Sequence, residues 1–236
     1  MKLRAAFIGL GTLMSLAVTG PAVGQAKPSQ GVVTPEMRSG RTQFEFGREF
    51  DLKRLTDPLV AGAVHDAAGE IASCLARRGG KKAGDYLGGV LAEDAEYSHI
   101  GEALTGKLKS CAKTNAAAPA IVISGVLAEQ LVLEQAPVLE DRAPVVAEDD
   151  AHAFFGELTG PVTYDNIAGC LAVYSPGLAY KVVQTKAGSD EETAALRAMY
   201  AHTPECMMSA PPESIPMLYQ RGALATALYL WNDRQT

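Results

Sequence analysis

The chain has 236 residues, a formal net charge of −6 at pH 7, four cysteines and an aromatic content of only 6%. Its acidic balance disfavours a role in binding nucleic acid, because that binding depends on Lys and Arg contacts to phosphate. The length allows one domain or two small ones, and the abundance of Ala and Leu favours helices.

Residues 1–26 have the layout of a secretory signal peptide. Lys2 and Arg4 precede an apolar run over 5–18, and Gly24 and Ala26 place small residues before a cleavage site. The run is short for a membrane span, and no later stretch reaches the roughly 18 apolar residues that a span needs. We therefore expect cleavage near Ala26, a periplasmic or secreted protein and no stable membrane insertion; an uncleaved N-terminal anchor is the alternative. Loss of Lys2 and Arg4 takes the net charge from −6 to −8.

Residues 27–56 lack a helical period and are interpreted as an irregular N-terminal arm. Unit 1, residues 57–134, begins at Asp57-Pro58, where Asp suits a helix N-cap and Pro the first turn. Apolar residues then recur every three or four positions up to Gly79-Gly80, which predicts an amphipathic helix. A short helix, a helical stripe ending at Cys111 and a buried helix over 120–134 are predicted to follow.

A linker is predicted at 135–160, where prolines and an acidic cluster interrupt the pattern. Unit 2, residues 161–236, again begins with a helix, which Ser175-Pro176 ends. Ser189 and Glu192 have the spacing of a capping box and predict the start of another helix. A last helix is predicted over 215–231.

The two units share three landmarks in the same order, which indicates an internal repeat. IASCL at 71–75 matches IAGCL at 167–171, and GVLAEQLVL at 125–133 matches GALATALYL at 222–230. The two cysteines of a unit are also 37 residues apart in the first and 36 in the second. The alternative is a shared bias of Ala-rich helices.

The cysteine count predicts two disulfides in an exported chain, with three possible connectivities. If the units are equivalent, their cysteines pair in the same way, which selects Cys74–Cys111 and Cys170–Cys206. Zinc sites usually place cysteines two to four residues apart, and thioredoxin-like redox sites need a Cys-x-x-Cys pair. The sequence has neither pattern, so no metal or cofactor is predicted.

No local catalytic motif is present among the four histidines and their neighbours. His65 and Asp66 are interpreted as a solvated helix face, and His99 as a surface or boundary residue. His202 with Glu205 is a possible acid–base pair, for which a loop role is the alternative. His152 has no evident partner, and the acidic cluster 148–150 lacks the ligand pattern of a calcium-binding EF-hand loop.

The last helix carries Tyr219, Tyr229 and Trp231. The interpretation is that they pack the helical bundle, with Tyr229 and Trp231 in a core-like stripe. The alternative is an exposed apolar face that binds a partner, which includes a homodimer formed through this helix.

The pattern IAxCL, a second cysteine about 36 residues later and then RGALATALY resembles a set of exported proteins of Gram-negative bacteria. Those proteins carry a similar "ECxxxxxP…GS-EE…C…RGALAEALY" phrasing. The resemblance is clearest over 165–230 and weaker over 70–133. The family has no assigned activity, so the resemblance implies an exported helical protein and no catalytic residue. Unit 1 departs from the pattern at Ser124, where unit 2 has Arg221.

The sequence thus predicts an all-α fold of two related, disulfide-clamped helical units in tandem. The leading functional hypothesis is a non-enzymatic exported protein that binds an unidentified protein or small molecule or has an envelope-associated role. The alternative hypothesis is a small periplasmic hydrolase without a local motif. A site that brings His65 or His202 together with a carboxylate and a nucleophile would favour the hydrolase.

Overall fold

A computed structural model describes residues 52–88, 98–113, 118–135 and 164–235. These residues are about 80% helical and contain no strand, which confirms the all-α prediction. The predicted signal peptide, most of the predicted N-terminal arm, nearly all of the predicted linker, His152 and the acidic cluster 148–150 lie outside the described residues.

The described residues form seven α-helices, with short 3-10 turns at Leu52–Thr56, Gly80–Tyr86, Cys111–Lys113 and Pro204–Cys206. The helices are α1 (Pro58–Gly79), α2 (Ser98–Thr105), α3 (Ala120–Glu134), α4 (Tyr164–Tyr174), α5 (Pro176–Gln184), α6 (Asp190–His202) and α7 (Met217–Gln235). The predicted starts of α1 and α3 agree with these bounds. The last helix begins at Met217 rather than at 215 and runs four residues beyond the predicted end.

Local capping chemistry explains where several helices begin and end. The side chain of Asp57 accepts a hydrogen bond from the Leu59 backbone N–H, and Gly80 ends α1 with a φ of 51° that favours glycine. Ser189 accepts from the Glu192 backbone N–H at the start of α6, as predicted. The Glu192 side chain, however, accepts from the Gly188 backbone N–H, one residue before the predicted capping-box partner.

Helices α3 and α7 pack against each other at the centre of the fold. Helix α1 lies on α3, whereas α4 and α5 lie on α7, and α6 packs against α5. Helix α3 is buried around most of its circumference, as expected of a central helix. One hydrophobic core includes residues of both sequence units, so the two units pack together. The internal repeat stays a prediction.

The crossing of α3 and α7 requires two glycines. A Cβ atom added to Gly125 would lie 2.7 Å from the Cα of Gly222, and one added to Gly222 would lie 3.1 Å from the Cα of Gly125. The backbones of the two central helices therefore leave no room for a side chain at Gly125 and very little at Gly222. These glycines are the first residues of the two matched nine-residue segments, so equivalent positions of the proposed repeat meet at the centre.

The structure contains the disulfides Cys74–Cys111 and Cys170–Cys206, which is the predicted pairing. The first joins α1 to the turn after α2, and the second joins α4 to the turn after α6. Each bond therefore ties the first helix of a unit to a segment that follows 36 or 37 residues later. Disulfides are typical of proteins in oxidising, exported compartments.

Two buried tyrosines lie between the helices of unit 2. The hydroxyls of Tyr164 and Tyr200 are 2.8 Å apart, and the Tyr200 hydroxyl also donates to Gln220 Oε1. Burial raises the pKa of Tyr200 to about 12 and raises that of Tyr164 well above its usual value. Both tyrosines therefore stay neutral at a pH where an exposed tyrosine ionises.

The predicted roles of the residues on the last helix are partly confirmed. Leu224, Leu228 and Trp231 are buried in the core, as is Tyr219, but Tyr229 is only half-buried. Among the described side chains of α7, Leu230 is the one large apolar group that is exposed. A broad apolar face for a partner is therefore not present on the described part of α7, and the homodimer stays a prediction.

Helix α1 and the 3-10 turn that follows it form a long apolar stretch. The helical stretch Pro58–Tyr86 is, among the described residues, the one long and apolar enough to cross a membrane. Core helices of soluble proteins meet the same criterion, and α1 packs against α3. Its composition is therefore weak support for a membrane span.

Removing either disulfide should destabilise the protein. Closing a loop of 36 or 37 residues contributes about 4 kcal/mol in the chain-entropy model. We expect paired Cys170→Ala and Cys206→Ala replacement to lower the free energy of unfolding in urea by about that amount. Peptide mapping without reductant should recover Cys74 linked to Cys111 and Cys170 linked to Cys206. Links between the two units would contradict the structure.

Gly125→Ala should destabilise the protein by about 2 kcal/mol or more, because its methyl group would overlap the backbone of α7. Gly69→Ala on α1 is the matched control, since no atom outside its own helix lies within 4 Å of the new Cβ. The control should stabilise the protein by up to about 1 kcal/mol through helix propensity. Equal effects in urea unfolding would show that the helices do not cross so closely.

Candidate functional site

A cleft of about 660 Å³ opens between α1, α3, the end of α5 and the start of α7. Helices α1 and α3 belong to unit 1, whereas α5 and α7 belong to unit 2, so residues of both units line it. The lining residues that carry ionisable or amide groups are His65, Asp66, Glu129, Gln130, Gln184 and Arg221.

Arg221 on α7 is the residue around which the site is organised. Its guanidinium is buried and donates to the carbonyls of Val182, Val183 and Thr185 at 2.6–3.0 Å. It also donates to the Thr185 hydroxyl at 3.0 Å. These carbonyls belong to the end of α5, where the last turn of a helix leaves acceptors without intrahelical partners. Arg221 therefore caps α5 from a neighbouring helix and is held rigidly.

Two buried carboxylates face the same guanidinium. Arg221 Nε lies 2.9 Å from Glu129 Oε1 on α3, and one of its terminal nitrogens lies 3.3 Å from Glu192 Oε1 on α6. The contact to Glu129 is poorly aligned as a hydrogen bond, so its contribution is mainly that of an ion pair. We call Glu129, Glu192 and Arg221 the buried charge network. It holds two carboxylates and one guanidinium.

His65 connects this network to the cleft. Its Nε2 lies 2.9 Å from Glu129 Oε2, and 19% of its side chain is exposed. Its Nδ1 is 3.9 Å from the carboxylate of Asp66, which is itself exposed. The two oxygens of Glu129 are therefore shared between Arg221 and His65, and the imidazole is held at the wall of the cleft by a buried acid.

The neighbouring wall is fixed by Gln130 on α3. Its amide nitrogen donates to the Gly69 carbonyl at 3.2 Å and to the Ser73 hydroxyl at 2.9 Å, both on α1. Ser73 lies eight residues after His65, which corresponds to about 12 Å along the helix. The one hydroxyl that α1 contributes to the cleft is thus too far from His65 to be activated by it.

The structure corrects the interpretation of His65 as part of a solvated helix face. It is mostly buried, and its partner Glu129 lies 64 positions later in the chain. His99 and His202 are exposed, as is Glu205, and none of the three lines the cleft. Of the three described histidines, only His65 lines the cleft.

Neither Glu129 nor Glu192 is predicted from the sequence to be a site residue. Glu129 is the one charged residue in the segment 120–133, and Arg221 is the one charged residue in the segment 214–232. Single charges in all-buried helices require a partner, since an unpaired buried charge is very costly. That signal predicts a pair, although not which residues form it.

The chemistry of the site is that of a positioned imidazole–carboxylate pair in a polar cleft. The cysteines are all in disulfides, and the described residues contain no cluster of three His, Cys, Asp or Glu side chains able to hold a metal ion. Comparison of the chain with protein-family models, curated proteins and solved structures gives no match. The site's function is therefore argued from its own geometry.

Removing Arg221 should have a large effect on stability, because Arg221→Met leaves two buried carboxylates without their cation. Breaking one side of a buried ion pair costs about 3–5 kcal/mol, and urea unfolding should show a loss in that range. Arg197→Met is the matched control, since Arg197 is exposed on α6, and it should change stability by less than about 0.5 kcal/mol. Similar values for the two variants would refute the role of the network.

Proposed function

We propose that the protein is exported and that it binds a small polar ligand in the cleft between its two units without transforming it. The two disulfides support export, because such bonds persist in oxidising compartments. In this proposal a signal peptide over residues 1–26 directs export and is cleaved near Ala26. The mature protein is then periplasmic or secreted. The resemblance to exported proteins of Gram-negative bacteria agrees with this location.

The observation that carries the binding role is the position of the buried charge network. Arg221, Glu129 and Glu192 are held by backbone and side-chain contacts from four helices, and His65 extends this fixed arrangement to the cleft. A few rigid polar groups beside apolar surface are typical of small-molecule sites. Val126, Leu133 and Val183 supply that apolar surface.

Binding is favoured over catalysis because both hydroxyls that line the described cleft, those of Ser73 and Thr185, are engaged by other groups. The Thr185 hydroxyl donates to the Val182 carbonyl and accepts from Arg221. The Ser73 hydroxyl accepts from Gln130 and lies two helical turns from His65. The guanidinium of Arg221 is occupied by the end of α5 and by two acids. It is therefore not available to stabilise a developing negative charge.

A hydrolase is the second candidate, and one observation favours it. The hydrogen bond between His65 and Glu129 is the arrangement that orients a general base, with the carboxylate fixing the imidazole. In this alternative His65 activates a water molecule for attack on a bound substrate. This alternative therefore predicts that a bound compound is hydrolysed.

We also propose that the two units arose by internal duplication. The paired cysteines have matching separations, and the glycines that begin the matched segments meet at the crossing of α3 and α7. Ser124 and Arg221 occupy matched positions and contact matched chain segments. Ser124 accepts from the Gly88 backbone N–H, and Arg221 donates to the carbonyl of Thr185, which lies 97 positions after Gly88.

A thermal-shift screen of polar metabolites should find compounds that raise the melting temperature of the mature protein. A compound present at 100 times its dissociation constant adds about 2.7 kcal/mol of stability. His65→Ala should reduce this stabilisation, because it removes the imidazole from the cleft wall. His99→Ala, an exposed change on α2, should leave it intact.

Mass spectrometry of each stabilising compound after long incubation distinguishes the two candidate functions. An unchanged compound supports a binding protein. Turnover that His65→Ala abolishes and His99→Ala retains would instead establish the hydrolase. If no compound discriminates between the two histidine variants, the cleft is not the binding site.

A further inference from the structure

The charges that surround the cleft do not balance. The buried charge network contains the carboxylates of Glu129 and Glu192 but only the guanidinium of Arg221. The same guanidinium also binds carbonyl oxygens at the end of α5, where the helix dipole is negative. One negative charge of the network is therefore left without a permanent cation.

The opening of the cleft adds to this negative character. Asp66 stands at the opening with 82% of its side chain exposed. Apart from Arg221, which is fully engaged, His65 is the one lining residue able to carry a positive charge. The described lining contains no lysine. A ligand that enters the cleft thus meets the exposed carboxylate of Asp66, with the buried Glu129 bonded to His65 in the wall and no free permanent cation among the described lining residues.

The cleft has room beside these acids. A Cβ atom added to Gly69, one helical turn from His65, would have no atom outside its own helix within 4 Å. Val126, Leu133 and Val183 form apolar parts of the lining, and Leu133 is partly exposed. The site therefore combines negative charge with surface suited to a short hydrocarbon chain.

We propose that the cleft binds a small organic cation, an ammonium or guanidinium group on a short aliphatic chain. The cation lies near the exposed carboxylate of Asp66, in the negative field of the buried charge network, while the aliphatic part contacts Val126, Leu133 and Val183. This inference rests on the proposed function, because it names the ligand class of the same cleft. The negative charge of the cleft disfavours the binding of carboxylates and phosphates.

Replacing Gly69 tests the charge preference without a ligand. Gly69→Lys, Gly69→Gln and Gly69→Glu place side chains of similar size in open space, and these three residues have similar helix propensities. We expect the melting temperature to fall in the order Lys, Gln, Glu. Asp66 lies three positions before Gly69 and would favour Lys by ordinary pairing along the helix.

The series is therefore repeated with Asp66→Asn, an exposed change that removes this local pairing. If the melting temperatures still fall in the order Lys, Gln, Glu with Asp66→Asn, the buried charge network supplies the preference for a positive side chain. An order that disappears or reverses in this background overturns the inference.

A panel of probes tests the ligand class directly. Calorimetry compares butane-1,4-diamine and agmatine with their neutral counterpart butane-1,4-diol and with the dianion succinate. The two cations should bind at least ten-fold more tightly than the diol, and succinate should not bind. Gly69→Lys should weaken the binding of the cations at least ten-fold, whereas Glu213→Gln, an exposed acid in the loop before α7, should not.

The outcomes separate the two proposals. Tighter binding of the diol or of succinate, weakened by His65→Ala, retains the cleft as a binding site and overturns the cationic ligand. Binding of the cations that is unchanged by Gly69→Lys places them outside the cleft and also overturns the inference. If no member of this panel and no metabolite of the thermal-shift screen binds, both proposals fail.

Discussion

The buried guanidinium of Arg221 joins four helices of this fold. It lies on the central helix α7, caps the end of α5 and pairs with acids on α3 and α6. Through Glu129 it also determines the position of His65 on α1. Such an arrangement is costly to desolvate and requires near-complete pairing. Unit 1 and unit 2 must therefore pack in one relative position to satisfy it.

The parts of the fold that could be predicted from the sequence depend on local patterns. The N-cap at Asp57, the glycines that end α1 and the Ser189 cap of α6 all act within a few residues of their position. The disulfide pairing was also accessible, because matched spacing reduced three connectivities to one. In each case, the physical cause and the sequence signal lie in the same stretch of chain or in the segment that the proposed repeat matches to it.

The site could not be predicted in the same way, because its contacts join distant positions. His65 and Glu129 are 64 residues apart, and Arg221 contacts carbonyls 36 to 39 residues earlier. The pattern of α1 led to the interpretation of His65 as part of a solvated face, because the pattern does not show that a side chain of another helix faces it. Tyr229 shows the same limit, since its position in the stripe predicted burial and the structure leaves it half-buried.

The covalent connectivity of the chain sets how its two units are held together. The chain has four cysteines, and each disulfide closes a loop inside one unit, so the two loops lie in series without linking. A single proteolytic cut between residues 135 and 163 would thus yield two separately cross-linked fragments. Their association would depend on non-covalent contacts, which include the shared hydrophobic core, the glycine contact of α3 with α7 and the pairing of Glu129 with Arg221. Apart from the backbone that connects them, the two units are therefore held together by non-covalent contacts alone.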